Sequence, residues 1–302
     1  MPDIQEKLQE FKSGFVAIVG APNVGKSTLL NQILGEKISI TSKKPQTTRN
    51  RILGVVHRPA SQLIFLDTPG VHRARRPLNI RIVETALSAL GSVDIVLVMI
   101  DVANPDPESE AFIVKKLQEI KRPVVLVLNK IDLIKKPALL TIMDSWTKLH
   151  PFEAIIPISA ILGEQIEELI KAIEGLLPKG PAYFPEETIT DLPERFIAAE
   201  MIREKVFRLS GQEIPYSTAV TVDTFSEKKK GSLVKINATI HVERASQKGM
   251  VIGKNGSRLK MIGTEARKEI ERMVGTKVYL KLFVRVHKNW SKDTKALRRL
   301  GY

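Results

Sequence analysis

One stretch of eight residues constrains this chain more than any other: Gly20 to Ser27 has the sequence Gly-Ala-Pro-Asn-Val-Gly-Lys-Ser. The spacing G-x-x-x-x-G-K-S is that of a P-loop, in which residues without a Cβ let backbone N–H groups surround a phosphate chain at a helix N-terminus. An apolar run precedes it (Phe15 to Val19) and a helix-like run follows it (Thr28 to Leu34). The pattern therefore predicts a strand, a phosphate-binding loop and a helix.

Two side chains of this loop have predicted roles. Lys26 reaches the β- and γ-phosphates, and the Ser27 hydroxyl binds Mg²⁺. The loop residues predicted to bind nucleotide are Gly20, Ala21, Pro22, Asn23, Val24, Gly25, Lys26, Ser27 and Thr28.

A second phosphate-binding signal follows the strand-like run Gln62 to Leu66, which ends in Asp67-Thr68-Pro69-Gly70. An acidic residue at a strand end can hold the water shell of Mg²⁺, and the glycine leaves its N–H free to meet a γ-phosphate. The nucleotide-binding residues predicted here are Asp67, Thr68, Pro69, Gly70 and Val71.

The polar segment between these motifs contains adjacent threonines, Thr47 and Thr48. In switch loops one threonine hydroxyl binds the metal while its N–H senses the γ-phosphate. We assign this role to Thr48, although the register of adjacent threonines leaves Thr47 open. The predicted metal-binding residues are Ser27, Thr48 and Asp67.

The base is predicted from the tetrad Asn129-Lys130-Ile131-Asp132. A carboxylate at its fourth position accepts two hydrogen bonds from guanine N1–H and N2–H₂, whereas adenine offers no such donor pair. Asn129 either stabilises the loop or contacts N7, and the Lys130 stem lies over the purine ring. The backbone N–H groups of Ser159 and Ala160 are placed to meet guanine O6.

Strand-like and helix-like segments alternate through this half of the chain, including a predicted helix over residues 79–90. Such alternation is typical of an α/β fold with its ligand at the carboxyl ends of the strands. We expect a P-loop domain with a mixed, mostly parallel six-stranded sheet and helices on both faces.

The charge of the chain is concentrated near its C-terminus. The net charge is +14, and residues 244–302 hold sixteen Lys and Arg against four acids. A second basic cluster falls within residues 43–81. Concentrated basic surface indicates a polyanionic partner, nucleic acid first and anionic membrane second. The absence of cysteine excludes disulfides, and no apolar run approaches the roughly 20 residues of a membrane span. With a polar, charged N-terminal segment, we expect a cytoplasmic protein.

Four prolines and several acids between residues 177 and 194 indicate a linker. We therefore expect a nucleotide domain over 1–178, a linker over 179–193 and a second domain over 194–302.

The second half has the element order α-β-β-α-α-β, with Val251-Ile252-Gly253-Lys254-Asn255-Gly256 between two helices. This order resembles an α+β type II KH domain, whose G-x-x-G loop clamps about four nucleotides of single-stranded RNA. Trp290, in the basic tail, either stacks on a base or packs internally. The predicted RNA-binding residues are Ile252, Gly253, Lys254, Asn255, Gly256, Ser257, Arg258 and Lys260.

The five nucleotide motifs, in order and spacing, resemble those of translation-factor-related small GTPases, and Gln46-Thr47-Thr48-Arg49 resembles the Era branch. The resemblance covers nearly the whole chain. It implies a GTP/GDP switch with Mg²⁺ that binds 16S ribosomal RNA near its 3′ end and assists assembly and rRNA maturation of the small (30S) ribosomal subunit. Ras-like enzymes place a water-orienting glutamine after D-x-x-G, where this chain has Val71. A slow intrinsic rate is therefore expected.

In GTPases that resemble this branch, an asparagine at the position of Asn23 can hold K⁺ beside the β/γ-bridging oxygen. The alternative is that Asn23 only orders the loop through a side-chain to backbone hydrogen bond. The predicted catalytic residues are Lys26, Asn23 and Thr48.

Two other classes of function account for part of the sequence. A P-loop kinase or ATPase with an appended binding domain is one, and Asp132 argues against it. A peripheral membrane-associated signalling GTPase, whose basic domain contacts anionic lipid at the cytoplasmic side of the inner membrane, is the other. We expect a monomer without a DNA partner.

Overall fold

The computed structural model describes residues 11–42, 48–71, 91–210, 218–227 and 233–300. These residues form two compact units. The first holds 11–39, 48–71 and 91–191, and the second holds 40–42 and the described residues from 192 onward. Three features of the sequence lie wholly or partly outside the described residues: the predicted helix over 79–90, the basic cluster in 43–81, and Thr47.

The first unit is built on one six-stranded sheet with the order β2-β3-β1-β4-β5-β6. β2 runs antiparallel to β3, and the other neighbours are parallel. This confirms the predicted mixed, mostly parallel sheet. The strands are β1 (Lys12–Gly20), β2 (Ile52–Arg58), β3 (Ser61–Asp67), β4 (Ile95–Asp101), β5 (Val124–Asn129) and β6 (Ala154–Ile158).

Four described helices connect or follow these strands. α2 begins with Pro107 at its first position, and the Asp106 side chain caps it by accepting from the Ser109 N–H at 3.1 Å. One helix, between β5 and β6, had no counterpart among the segments predicted from the sequence. The helices are α1 (Lys26–Leu34), α2 (Pro107–Leu117), α3 (Lys136–Thr147) and α4 (Ile166–Leu176).

The core of the first unit lies against this sheet. Every residue of β4 and β5 is buried, as expected for central parallel strands covered on both faces. Ile113 and Leu117 of α2 and Trp146 of α3 belong to the same apolar cluster as Val96 and Val98. Each such side chain contributes about 1.5–3 kcal/mol by burial. The packing fixes the carboxyl ends of the strands, where the sequence motifs fall.

The segment that follows α4 bonds to the first unit. Ser13 Oγ donates to the Pro181 carbonyl at 2.6 Å, and Gln62 Oε1 accepts from the N–H groups of Tyr183 and Phe184. The N–H of Val55 donates to the carbonyl of residue 189 at 2.8 Å. Much of the proline-rich segment is thus ordered along the strands.

The second unit has the order α-β-β-α-α-β predicted for a KH domain. Its three-stranded sheet has the order β7-β8-β9, with β8 antiparallel to β7 and parallel to β9. A short helix ends the described chain. The elements are α5 (Glu194–Leu209), β7 (Ala219–Glu227), β8 (Val234–Val242), α6 (Ala245–Ile252), α7 (Ser257–Val274), β9 (Val278–Val286) and α8 (Thr294–Arg299).

Helices cover one face of this sheet. α7 buries Ile262, Ala266 and Ile270, which are spaced by four residues and form one stripe. The helix begins after Gly256 and ends at Gly275, both in left-handed conformations. α7 contacts both α5 and β9, so it forms the wall beside the edge strand. Among the described helices, none is long and apolar enough to cross a membrane.

Candidate functional site

The P-loop connects the end of β1 to α1. Gly25 has φ +107°, and a Cβ there would lie 2.3 Å from Asn129 Nδ2. A Cβ on Gly20 would lie 2.3 Å from the Met99 carbonyl oxygen. Both glycines are therefore required by close contacts with the neighbouring strands, and Gly25 also by its backbone conformation. Asn23, between them, is exposed and has φ 66°.

Lys26 is buried at the base of this loop. Its Nζ donates to the carbonyls of Gly20 at 3.0 Å and Ala21 at 2.8 Å. Burial lowers its pKa to about 8, and the negative charge of Asp67 opposes this shift. Among the described residues, the hydrogen bonds of this ammonium go to backbone carbonyls, which it can exchange for the oxygens of an anionic ligand.

Three predicted metal-binding residues converge next to Lys26. Ser27 Oγ donates to Asp67 Oδ2 at 2.7 Å and lies 2.8 Å from Thr48 Oγ1. Ser39 Oγ, which the sequence did not indicate, also donates to Asp67 Oδ2, at 3.0 Å. Burial raises the pKa of Asp67, while Lys26 and the hydroxyl donors oppose that shift.

This oxygen cluster fits Mg²⁺. Hydroxyl and carboxylate oxygens are hard ligands of the kind that Mg²⁺ prefers. Asp67 Oδ1 is buried and has no hydrogen-bond partner within the described part of the chain. Thr48 is buried in this cluster, whereas its neighbour Thr47 lies outside the described residues.

The turn after Asp67 packs against the P-loop. Thr68 Oγ1 donates to the Ile18 carbonyl at 2.7 Å, and the N–H of Val71 donates to the Gly20 carbonyl at 3.0 Å. A Cβ on Gly70 would lie 2.8 Å from the Cα of Pro22, so this position requires glycine. The Val71 side chain is fully buried in the apolar core. It has neither the polarity nor the exposure to orient a water molecule.

The tetrad after β5 ties three loops together. Asn129 Nδ2 donates to the Val24 carbonyl at 2.7 Å, and its Oδ1 accepts from the Ala160 N–H at 2.9 Å. Of the two roles open to Asn129, this is the loop-stabilising one. Lys130 has φ 70°, and its Nζ is paired with Asp101.

Asp101 was missed by the sequence reading. Its Oδ1 accepts from the N–H groups of Ala103 and Asn104, both at 3.0 Å, and its Oδ2 accepts from Lys130. The carboxylate thus holds the Lys130 stem in one direction. An acid at the end of an apolar strand was the available signal.

The other residues predicted to recognise the base lie at the same edge of the sheet. Asp132 is exposed in a single 3₁₀ turn, Ile131–Leu133. Ser159 is buried, and its N–H donates to the Glu164 carbonyl at 3.3 Å. Since the N–H of Ala160 is also bonded, to Asn129, contact with guanine O6 requires sharing or exchange of one of these bonds.

The second candidate site is the G-x-x-G loop between α6 and α7. Gly253 has φ 73° and ψ 174°, Asn255 has φ 51°, and Gly256 has φ 75° and ψ 7°. A Cβ on Gly253 would lie 2.8 Å from the Arg258 Cβ, so glycine is required there by both space and conformation. Lys254 and Asn255 are exposed at the tip.

A groove of about 410 Å³ extends from this loop between α7 and the edge strand β9. The predicted RNA residues Gly256 and Lys260 line it. Sequence reasoning missed the rest of the lining, because α7 and β9 meet only in the tertiary fold. These residues are Leu259, Gly263, Thr264, Arg267, Leu280, Lys281 and Leu282.

Other predicted RNA residues have mixed surroundings. Arg258 Nη1 donates to the Met250 carbonyl at 2.6 Å and so ties α7 to the end of α6. Ser257 is exposed, and Ile252 is half-buried. Trp290, for which stacking and packing were both open, has 0% exposure and therefore packs internally.

The first unit carries on one sheet a P-loop, a buried oxygen cluster that fits Mg²⁺ and a tetrad that fits guanine, and a KH unit follows it. Together these features define a P-loop GTPase with a KH domain. A family model described as 50S ribosome-binding GTPase matches residues 15–130, and a KH domain model matches residues 213–291. GTPase Era from Geobacter sp. (strain M21) is 55% identical over 295 residues, covering 97% of this chain and 99% of that relative. The chain belongs to the Era family of GTPases.

Solved structures agree with this assignment. Aquifex aeolicus Era, as a variant bound to GDP and aluminium fluoride, matches with a TM-score of 0.92 and 42% identity, over 97% of this chain and 99% of that one. A structure of Era in complex with MgGDPNP and nucleotides 1506–1542 of 16S ribosomal RNA matches with a TM-score of 0.93 and 43% identity, with the same coverage. The protein is a GTPase that hydrolyses GTP to GDP and phosphate.

Proposed function

We propose that this GTPase is a switch that binds 16S ribosomal RNA near its 3′ end and assists assembly of the small ribosomal subunit and maturation of its rRNA. One observation carries the proposal: the full chain, with both units, is similar to an Era that is bound to MgGDPNP and to 16S rRNA nucleotides 1506–1542. The G-x-x-G loop and its groove supply the chemistry for the RNA part, because such loops hold the backbone of a single strand.

In the nucleotide site, the backbone of residues 20–28 surrounds the phosphates. Lys26 exchanges its two carbonyl partners for β- and γ-phosphate oxygens. Ser27, Thr48 and Asp67 are the residues that would hold Mg²⁺. When bound, Mg²⁺ supplies positive charge that stabilises the transferred phosphoryl group. Thr48 is placed to sense the γ-phosphate, since its hydroxyl already lies beside Ser27.

Asp132 selects guanine, because its exposed carboxylate can accept hydrogen bonds from the N1–H and N2–H₂ groups of the base. Asn129 holds the P-loop and the Ser159-Ala160 loop at fixed distances from that carboxylate. Lys130, oriented by Asp101, lies over the purine ring.

Hydrolysis proceeds without a water-orienting side chain from the Val71 position, because that side chain is part of the core. A slow intrinsic rate follows. Lys26, Thr48 and Asn23 are the residues that we propose act on the transferred phosphoryl group, with K⁺ at Asn23 as the finer part of this proposal.

In the RNA site, Gly253 and Gly256 allow the sugar-phosphate backbone to approach the loop. Lys254 and Lys260 neutralise phosphates, and the leucines of the groove lining, Leu259, Leu280 and Leu282, contact bases. We propose 179–193 as the segment that connects a nucleotide domain (1–178) to an RNA-binding domain (194–302), with residues 179–191 of this segment belonging to the first unit. The proposal places a monomer in the cytoplasm, without a DNA partner, and keeps peripheral membrane contact as a secondary property.

The RNA part is tested with the double variant Lys254→Asp and Gly256→Asp. We expect loss of binding to nucleotides 1506–1542 of 16S rRNA and unchanged GTP affinity, because the two sites lie in separate units. The matched control is Lys268→Asp with Met261→Asp, which makes the same change in charge at exposed positions of α7 outside the groove lining. Unchanged RNA affinity in a double variant that still binds GTP would refute the RNA function.

A further inference from the structure

The sheet of the second unit has a second face, opposite its helices. Along β9, Val278 and Val284 are buried, whereas Tyr279, Phe283 and Arg285 are exposed. Strand alternation places these three on the face away from the helices. We call this the outer sheet face and define it by Lys235, His241, Tyr279, Lys281, Phe283 and Arg285.

Two aromatic rings stand on this face. The Tyr279 residue is 54% exposed and the Phe283 residue 42%. Four residues apart on one strand, they are separated by roughly 13 Å, at about 3.3 Å per residue. Lys281 lies between them, with its Nζ 5.1 Å from the centre of the Phe283 ring. Exposed aromatic side chains of this kind offer flat faces on which bases can stack.

The charge around the rings is mostly positive. The strand register pairs Lys235 with Tyr279, and Arg285 follows Phe283 on the same face, so a cationic side chain stands at each end of the aromatic row. An acidic side chain on the neighbouring strand, Asp223, accepts hydrogen bonds from the hydroxyls of Thr221 and Thr239. The face therefore complements a polyanion that carries flat, stackable groups.

The outer sheet face is continuous with the groove. The groove lining includes residues 280–282 of β9, and β9 is an edge strand of the sheet. One side of this strand thus belongs to the groove, and the other side carries Tyr279 and Phe283. A strand of RNA that fills the groove with about four nucleotides has to pass only the edge of β9 to reach the rings.

We propose that the outer sheet face is a second RNA contact. Single-stranded RNA that leaves the groove crosses the β9 edge and stacks bases on Tyr279 and Phe283, while Lys235 and Arg285 neutralise its phosphates. This inference rests on the proposed RNA function, from which it takes only the class of partner, RNA. RNA is favoured over lipid because Lys281 separates the rings and the strand register places Asn237 beside Lys281 and Thr239 beside Phe283, and such polar side chains suit bases with polar edges better than acyl chains.

A length series of RNA tests this contact with the full chain in the presence of a non-hydrolysable GTP analogue. The probes are a hexanucleotide and progressively longer pieces that share its sequence, up to nucleotides 1506–1542 of 16S rRNA. We expect the double variant Tyr279→Ala with Phe283→Ala to bind the hexanucleotide as the parent does and to bind the long RNA about tenfold or more weakly. The matched control is Met261→Ala, an exposed apolar residue of α7 that is 52% accessible and outside the groove lining.

Charge on the face is tested separately, which covers the case that the alanine variant fails to fold. Lys235→Gln and Arg285→Gln each lower the slope of log affinity against log salt by about 0.7 for the long RNA only. Lys268→Gln is the control, since it removes an exposed lysine on the other side of the unit. Irradiation of the complex should crosslink the long RNA directly to Tyr279 or Phe283, and mass spectrometry identifies the crosslinked residue.

The outcomes are distinct. If the parent binds none of the RNAs, the RNA function itself fails. If it binds the hexanucleotide but gains no affinity with length, or if the sheet variants bind long RNA as the parent does, only the outer sheet face is refuted. If those variants lose binding to phosphatidylglycerol vesicles and retain long-RNA binding, the face serves a membrane and the proposal is overturned.

Discussion

The side-chain oxygens of Ser27 and Thr48 lie 2.8 Å apart, and Ser27 also donates to Asp67 at 2.7 Å. This relationship joins the P-loop to the segment that precedes β2. Thr48 is the residue that we propose senses the γ-phosphate, which GDP lacks, and the Ser27 hydroxyl cannot take over this role. Thr48→Ala should therefore reduce the preference for GTP over GDP. The loss of one contact to a charged group corresponds to about 1.5–3 kcal/mol, or roughly 10- to 150-fold.

The measurement is competition of GTP and GDP for a fluorescent guanine nucleotide, with Mg²⁺ present. Thr47→Ala is the control, and it should retain the preference of the parent. If Thr47→Ala abolishes the preference and Thr48→Ala does not, the roles of the adjacent threonines are reversed.

The buried ammonium of Lys26 makes nucleotide binding depend on pH. Burial lowers its pKa to about 8 in the unliganded protein. Phosphate oxygens favour the charged form, so binding raises that pKa and takes up a proton wherever the pH exceeds about 8. GTP affinity should therefore fall above pH 8, by up to about tenfold per pH unit until the pKa of the complex is reached.

Calorimetry at pH 7 and pH 9, in buffers with different ionisation enthalpies, counts the protons taken up. We expect none at pH 7 and close to one at pH 9. The stability of the unliganded protein should rise with pH between about 8 and 10.5, because the lowered pKa of Lys26 lies below its unfolded value of 10.5. Equal heats in all buffers at pH 9 would contradict the assignment.

Base selection predicts a switch in nucleotide preference. In Asp132→Asn the amide replaces one acceptor by a donor, which matches xanthine, where a carbonyl replaces N2–H₂. Affinity for GTP should fall at least 100-fold, since an unmatched polar pair is left at the base, and XTP should bind better than GTP. Competition between XTP and GTP measures this directly, with the parent as reference. Unaltered preference would remove Asp132 from the base-recognition site.

Motifs that depend on backbone conformation were predictable from the sequence. Gly25, Gly253 and Gly256 all have positive φ, and the residue type itself indicates such positions, because glycine adopts positive φ without a steric cost. The helix Ser257–Val274 has those bounds because a left-handed glycine stands at each end, Gly256 and Gly275. Local rules therefore sufficed for the elements that carry the motifs.

Features that depend on contacts between distant residues were not predictable. The helix Lys136–Thr147 is different, because Leu139, Ile142, Met143 and Trp146 have the helical spacing i, i+3, i+4 and i+7 and pack on the core, so this apolar stripe was a local signal that the sequence analysis missed. The Asp101 to Lys130 pair joins the ends of two strands, and its partner cannot be chosen from sequence alone. The groove wall likewise exists only where α7 meets β9.

The groove can be blocked without any change of charge. A Cβ on Gly263 would lie 3.5 Å from Leu282 Cδ1, an ordinary contact, so the helix accepts a side chain there. Gly263→Leu places three more carbons beyond that Cβ into the groove, and RNA affinity should fall at least tenfold while GTP binding is unchanged. The control is Gly175→Leu, at a helical glycine of the first unit with open space around its Cβ. Full RNA affinity in Gly263→Leu would place the RNA elsewhere.

Position 71 supplies no water-orienting side chain, because Val71 is apolar and buried in the core. Charge that develops on the β/γ-bridging oxygen then needs another source of stabilisation. Asn23 is exposed in the P-loop, and its amide oxygen is a suitable hard ligand for K⁺. Its φ of 66° offers a competing reason for asparagine, since this residue type tolerates the left-handed region.

Two variants separate these explanations. Asn23→Gly keeps the backbone conformation and removes the ligand, whereas Asn23→Asp keeps an oxygen ligand. GTP turnover is measured in K⁺ and in Na⁺ at equal ionic strength. We expect K⁺ to stimulate the parent about tenfold or more, as the removal of one transition-state contact of this kind costs at least that much. Asn23→Gly should lose the stimulation while still binding GTP, and Asn23→Asp should retain part of it. A parent that is indifferent to the cation would exclude K⁺, and an Asn23→Gly variant with full stimulation would place the ion at other ligands.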